Sequence, residues 1–219
     1  MDITTVLARI EDSGLVAGMR GHFPPEVALQ VAGALVEEGI TSFEFTMNST
    51  QAIEAMQAVK AEYGDEVCSG MGTVLDVETA RRVLDAGADF IVSPAFNREV
   101  VQAAMDAGTL IAPGVLTPTE CVDAWAMGVP LLKIFPIGPM GLEYFKAVRG
   151  PLDHMKFMAN GGIDPETTRA FIKAGAVAVG AAGWLTGKGD MPLATIRQRA
   201  QQLRNAVAEG RGEPRRVTI

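Results

Sequence analysis

The residues that build the commonest metal and disulfide sites are scarce in this chain of 219 residues. Two cysteines, Cys68 and Cys121, are too few for a disulfide framework. The two histidines, His22 and His154, stand far apart and outside any H-x-x-x-H spacing, so no metal site of that type is expected, although carboxylates could hold Mg²⁺. Positive charge is short as well: 19 Lys and Arg against 26 Asp and Glu leave a net charge of −7 and a pI near 4.9. A nucleic-acid partner would call for a basic stripe and an anionic membrane for a cationic face, so neither is expected. No charged-then-apolar signal segment opens the sequence. The expectation is a cytoplasmic protein that works on a small molecule.

What is abundant is apolar. Hydrophobic residues make up 48% and charged residues 21%, enough for a well-buried interior. The length suits one domain and leaves room for a (β/α)₈ barrel, which needs about 200 residues or more. Ile3 to Ile10 carry helical spacing, and Gly14 to Met19 read as a short buried strand. A pattern then recurs, in which a helical run closes on a glycine (39, 87, 108, 128 and 175) and an apolar run follows. The apolar runs are SFEFT (42–46), CSGMG (68–72), FIVSP (90–94), LIAPG (110–114), LLKIF (131–135), KFMAN (156–160) and VAVGA (177–181). With the strand before Arg20 they number eight. Helix starts fall between them at Asp76, Asn97, Thr117 with Glu120 three residues on, and Asp164 ahead of Pro165. This predicts an α/β fold, a (β/α)₈ TIM barrel with an extra N-terminal helix, over residues 1–208. The alternative is an open doubly wound sheet. Periodicity fades after Ala208, which predicts a loosely held tail over 209–219.

In such a barrel the site lies at the carboxyl ends of the strands. Alternation puts Lys133 on one face of LLKIF with Leu131 and Phe135. Apolar surroundings strip hydration from the charged ammonium and favour the free amine, a nucleophile for a ketone. The other reading is a lysine that snorkels to water. Glu44 shares a face of SFEFT with Thr46, opposite two phenylalanines, and would point into a barrel within reach of Lys133; on a half-exposed sheet it would face water. Arg20, Asn48, Thr73, Pro94, Pro113 and Asn160 stand at further strand ends, where each could equally be a turn residue. Two glycine clusters follow, NGGID with Gly161 and Gly162, and GAAG with Gly180 and Gly183. Backbone N–H groups in such loops bind phosphate, and glycine pairs also make plain tight turns.

FEFTMNS, GMGTVLD, FIVSPAFN, PGVLTPTE, LLKIFP and NGGI, in this order over residues 14–186, resemble the class I aldolases for 2-keto-3-deoxy-6-phosphogluconate, its galactonate epimer and 4-hydroxy-2-oxoglutarate. The resemblance implies a (β/α)₈ barrel, usually a homotrimer, that cleaves a 2-keto-3-deoxy sugar acid to pyruvate and an aldehyde with no cofactor beyond a lysine imine. By position it implies that Lys133 forms the Schiff base and Glu44 shuttles protons. Thr73 matches a contact to the substrate carboxylate, and Pro94 and Phe135 match apolar walls. Two positions depart from the pattern. Asn48 stands where the gluconate branch has an arginine, and Asn48, Ser49 and Arg20 look more like the galactonate branch. Gly183 stands where many members carry a phosphate-binding serine. Rival functions are 4-hydroxy-2-oxoglutarate cleavage, a sugar-phosphate isomerase or epimerase, and a non-catalytic barrel for a phosphate ligand.

Overall fold

All eight apolar runs form parallel strands. The computed structural model describes residues 1–213. The strand segments are β1 (Leu15–Met19), β2 (Ser42–Thr46), β3 (Cys68–Gly72), β4 (Phe90–Val92), β5 (Leu110–Ala112), β6 (Gly114–Val115), β7 (Leu132–Ile134), β8 (Phe157–Asn160) and β9 (Ala178–Ala181). The helices are α1 (Ile3–Ser13), α2 (Pro25–Glu37), α3 (Ala52–Tyr63), α4 (Val77–Asp85), α5 (Arg98–Asp106), α6 (Pro118–Ala126), α7 (Gly141–Arg149), α8 (Pro165–Lys173), α9 (Gly183–Thr186) and α10 (Leu193–Arg211).

Their ladder order is β5-β4-β3-β2-β1-β9-β8-β7-β6. β5 and β6 are halves of one run, broken at Pro113, which has no N–H to give a ladder. The first half pairs with β4 and the second with β7. The Pro113 carbonyl still accepts from the Lys133 N–H at 3.0 Å. One physical strand therefore bonds to both ends of the order, and the sheet closes into an eight-stranded barrel; an open doubly wound sheet would leave two edges.

Alternation sorts the side chains. Phe43, Phe45, Ile91, Ile111, Leu132, Ile134 and Val179 face outward into the main core under the helices. Val16, Cys68, Phe90, Val92, Leu110, Leu131 and Met158 fill the lower barrel together with Val6 and Ile10 of α1. The N-terminal helix thus plugs the amino-terminal end, leaving the carboxyl end open. Helix starts carry the expected caps. Thr117 and Glu120 form a capping box on α6, and the Thr117 and Leu116 N–H groups hold the Glu120 carboxyl below the usual carboxylate range.

The end of the chain departs from the sequence reading. The last helix continues past Ala208 to Arg211, with Arg169 paired to Glu209 at 2.5 Å and Arg211 donating to the Asp12 carbonyl at 2.8 Å. Residues 209–211 are therefore docked helix, not loose tail. Residues 214–219 of the expected tail lie outside the described residues.

Candidate active site

A cavity of about 460 Å³ opens at the carboxyl end of the barrel. Period-two alternation on β2 and β7 turns Glu44 and Lys133 inward. Both are almost fully buried, with side chains 6% and 4% exposed, and Lys133 Nζ lies 3.7 Å from Glu44 Oε1. The ammonium also sits 4.9 Å from the centre of the Phe135 ring. Neither the snorkelling lysine nor the water-facing glutamate is what forms. Glycine makes the space: a Cβ on Gly72 would come 2.1 Å from Glu44 Oε1, so the carboxylate lies where the neighbouring strand has no side chain.

Of the other residues singled out in the sequence, Arg20, Phe135, Asn160, Gly161, Gly162, Gly180 and Gly183 line the same cavity. Asn48, Thr73 and Pro94 are not on its wall. Asn48 is exposed in the turn after β2, because the strand that orients Glu44 stops at Thr46. Thr73 follows β3 half-buried, held at φ 60°, a strained setting for a β-branched residue. Pro94 follows β4, and its backbone is so close to Gly114 that a Cβ there would meet the Pro94 carbonyl carbon at 2.2 Å.

Three further lining residues, Thr46, Asp164 and Trp184, carry chemistry that the sequence does not assign to the site. Thr46 shares the inward face of Glu44, and its Oγ1 lies 2.7 Å from the Ser49 hydroxyl, which accepts from the Gly21 N–H at 3.0 Å. The period-two pattern already marked it. Asp164 adds a carboxylate, engaged in capping α8 through the Thr167 N–H at 2.8 Å. Trp184 brings an indole, braced by Arg199 whose guanidinium lies 5.0 Å from its ring centre. Loops and the short α9 position these two, so strand periodicity gave no signal for them.

Other nucleophiles are held back. Both cysteines are fully buried, and burial pushes the Cys121 thiol up to about 11 and raises that of Cys68. Among the described residues no group of three or more His, Cys, Asp and Glu side chains is gathered as a metal site. The constellation is thus a buried amine beside a buried carboxylate, at the floor of a pocket whose upper wall is glycine backbone, an amide and an indole. Such a pair can add an amine to a carbonyl and move the protons that the addition requires.

Comparison with known proteins agrees with this chemistry. The family model described as KDPG and KHG aldolase matches residues 22–198. The 2-dehydro-3-deoxy-6-phosphogalactonate aldolase of Escherichia coli (strain K12) is 34% identical over 187 residues, covering 85% of this chain and 91% of that protein. A solved structure described as native KDPGal superposes with a TM-score of 0.86 at 32% identity, over 90% of this chain and 96% of that one. A cube-shaped protein cage designed by fusing symmetric oligomeric domains also matches, with a TM-score of 0.85 at 32% identity over 90% of this chain and 73% of the other. With the family model spanning most of its length and the barrel superposing on its relatives, the chain belongs to the KDPG and KHG aldolase family, and is a carbon–carbon lyase.

Proposed function

We propose that this protein is a class I pyruvate aldolase that cleaves a 2-keto-3-deoxy sugar acid, of galactonate or gluconate type and with or without a 6-phosphate, to pyruvate and an aldehyde. The observation that carries the reading is the buried Lys133 amine 3.7 Å from the Glu44 carboxylate. Lys133 Nζ adds to the C2 ketone, and loss of water from the carbinolamine gives a protonated imine. Glu44 takes the proton of the C4 hydroxyl, the C3–C4 bond breaks, and its electrons move into the imine to leave an enamine as the aldehyde departs. The proton returns to C3, and water hydrolyses the imine to free pyruvate and the amine. The imine is itself the electron sink, so the scheme calls for no metal and no organic cofactor. Arg20, the other cation on the cavity wall, suits the C1 carboxylate. Asn48, Thr73 and Pro94 would have to act from the strand ends around the mouth.

Incubation with pyruvate and borohydride tests this directly. A pyruvate-sized adduct on Lys133 is expected. No adduct, or one that persists in Lys133→Ala, rules the reading out.

The phosphate end supports a further expectation. A serine hydroxyl donating to a phosphate oxygen contributes about 1.5 to 3 kcal/mol, and Gly183 has none to offer. The N–H groups around Gly161, Gly162, Gly180 and Gly183 remain, beside the Asp164 carboxylate, which disfavours an anion. The phosphorylated acid is therefore expected to be cleaved with only a modest advantage over its unphosphorylated form. A Cβ at Gly183 would meet nothing within 4 Å, so serine fits there without strain. Gly183→Ser should raise the ratio of kcat/KM for phosphorylated over unphosphorylated substrate by about tenfold, the equivalent of about 1.4 kcal/mol. An unchanged ratio would remove Gly183 from the account of the phosphate end.

A homotrimer in the cytoplasm belongs to the same proposal. Leu75, Val122 and Met140 are large apolar residues left exposed. The first two are linked across the surface, since Asn97 donates to the Leu75 carbonyl and its neighbour Arg98 pairs with Asp123, next to Val122. A solution mass of three chains is expected, falling when Leu75 and Val122 are both made Asp; a monomeric mass for the unaltered protein would end this part.

A further inference from the structure

Arg20 and Lys133 are the two cations on the cavity wall, and Arg20 is exposed. Among the described residues no hydrogen bond or ion pair holds its guanidinium. Its reach is therefore set by its main chain, which the turn after β2 grips on both sides. The Gly21 N–H donates to Ser49 Oγ at 3.0 Å, and Ser49 Oγ lies 2.7 Å from Thr46 Oγ1. Each hydroxyl has a single proton to give. Whichever of the two donates to the other, the proton left over is directed to the Met19 carbonyl, 3.4 Å from both oxygens. The chain of bonds thus starts on the residue after Arg20 and ends on the residue before it. The Thr50 N–H fastens the same turn to the Gly21 carbonyl at 3.1 Å, and the Lys188 carbonyl accepts from the His22 N–H at 2.8 Å.

Ser49 itself is half-buried and off the cavity wall. We infer that Ser49 is a positioning residue, whose hydroxyl fixes the main chain from Met19 to Gly21 so that the Arg20 guanidinium meets the C1 carboxylate of the keto acid. An oxygen is what the place requires, because the Gly21 N–H needs an acceptor and the Thr46 hydroxyl needs a partner. C1 takes no part in bond breaking, so a contact to its carboxylate is made alike in the bound substrate and in the transition state. Loosening that contact raises KM and leaves kcat nearly untouched. The inference rests on the proposed contact between Arg20 and the C1 carboxylate.

Borohydride trapping of two ketones reads this out. Pyruvate carries the carboxylate, and methyl pyruvate presents the same ketone without the charge. Ser49→Ala should raise the pyruvate concentration that half-saturates trapping by about tenfold, less than the roughly hundredfold that a misplacement of about 1 Å can cost, and keep that of methyl pyruvate within about twofold. In cleavage of the keto acid KM should rise by a similar factor while kcat stays within about threefold. Ser49→Thr, which keeps the hydroxyl, should restore the pyruvate value. Arg20→Leu should raise the pyruvate value at least as far, and adding Ser49→Ala to it should change nothing more, since the two residues act as one. An unchanged pyruvate value in Ser49→Ala overturns the inference. An equal rise for both ketones overturns it too, because the turn would then merely support the barrel, and so do additive effects in the double variant. If Arg20→Leu leaves pyruvate binding intact while pyruvate still traps on Lys133, the Arg20 contact falls and this inference with it, and the Schiff-base reading stands. No trapping on Lys133 overturns both.

Discussion

Lys133→Arg is expected to abolish cleavage, lowering turnover by about 10⁴-fold or more, on the order of 5 kcal/mol of barrier at 1.36 kcal/mol per tenfold. Arginine is the sharper choice because it separates two roles that the amine combines. As a cation 3.7 Å from Glu44, Lys133 balances a carboxylate that is 6% exposed, and deleting that charge would leave Glu44 buried and unpaired, which typically costs about 3 to 5 kcal/mol of stability. A guanidinium keeps the charge, yet stays protonated at any working pH and cannot add to a ketone. If the lysine were only a counter-ion, arginine would retain much of the activity. If the lysine is the nucleophile, the variant should keep its thermal midpoint within a few degrees, lose turnover, and trap no pyruvate under borohydride. Lys133→Ala is the cruder partner, expected to lose both stability and activity. Residual turnover within tenfold of the unaltered protein in the arginine variant would end the imine mechanism.

The residues that make this test possible are legible in the sequence, for a physical reason. Strand alternation is strict, so once Phe43 and Phe45 go under the helices Glu44 has no direction left but inward, and Leu132 and Ile134 do the same for Lys133. Burial of a whole barrel interior requires apolar runs with no other purpose, and those runs stand out. What lies in loops obeys no such period. Asp164 and Trp184 reach the cavity because a cap and a four-residue helix place them, and Asn48 misses it because its turn does. The family resemblance implies contacts by position along the chain, and position along a loop does not say which way a side chain points. Pro113 reads in the sequence as a strand end, yet the strand resumes beyond it and the ring of the barrel closes through that break. At the other end, apolar periodicity fades after Ala208, in a stretch with two glycines, which are poor helix formers. Gly210 instead lies directly against α8, so that a Cβ would sit 2.9 Å from Ile172 Cβ. A local preference gave way to tertiary packing.

Glu44→Gln is expected to slow turnover by about 10² to 10⁴-fold, the range for losing a positioned general base. The amide matches the carboxylate in size and fits the space that Gly72 leaves, so the barrel should hold its shape. What it cannot do is take the C4 proton or return one to C3. Both steps fail together, and so does the loss of water from the carbinolamine, so the rate of borohydride trapping should fall along with turnover while the final yield of adduct on Lys133 survives long incubation. That split separates a proton carrier from a residue that merely holds the lysine in place, whose loss would lower the yield as well. Gly72→Ala is the independent check, since its Cβ would come 2.1 Å from Glu44 Oε1 and 2.6 Å from Cγ. It must push the carboxylate away from its present position while leaving its chemistry intact. It should therefore show the same slowed trapping as Glu44→Gln, with turnover reduced by at least about tenfold, because misplacing a catalytic group by an ångström is costly. A turnover number unchanged in Glu44→Gln would leave the carboxylate as nothing more than the partner of a buried ammonium, and the protons would have to travel through bound water instead.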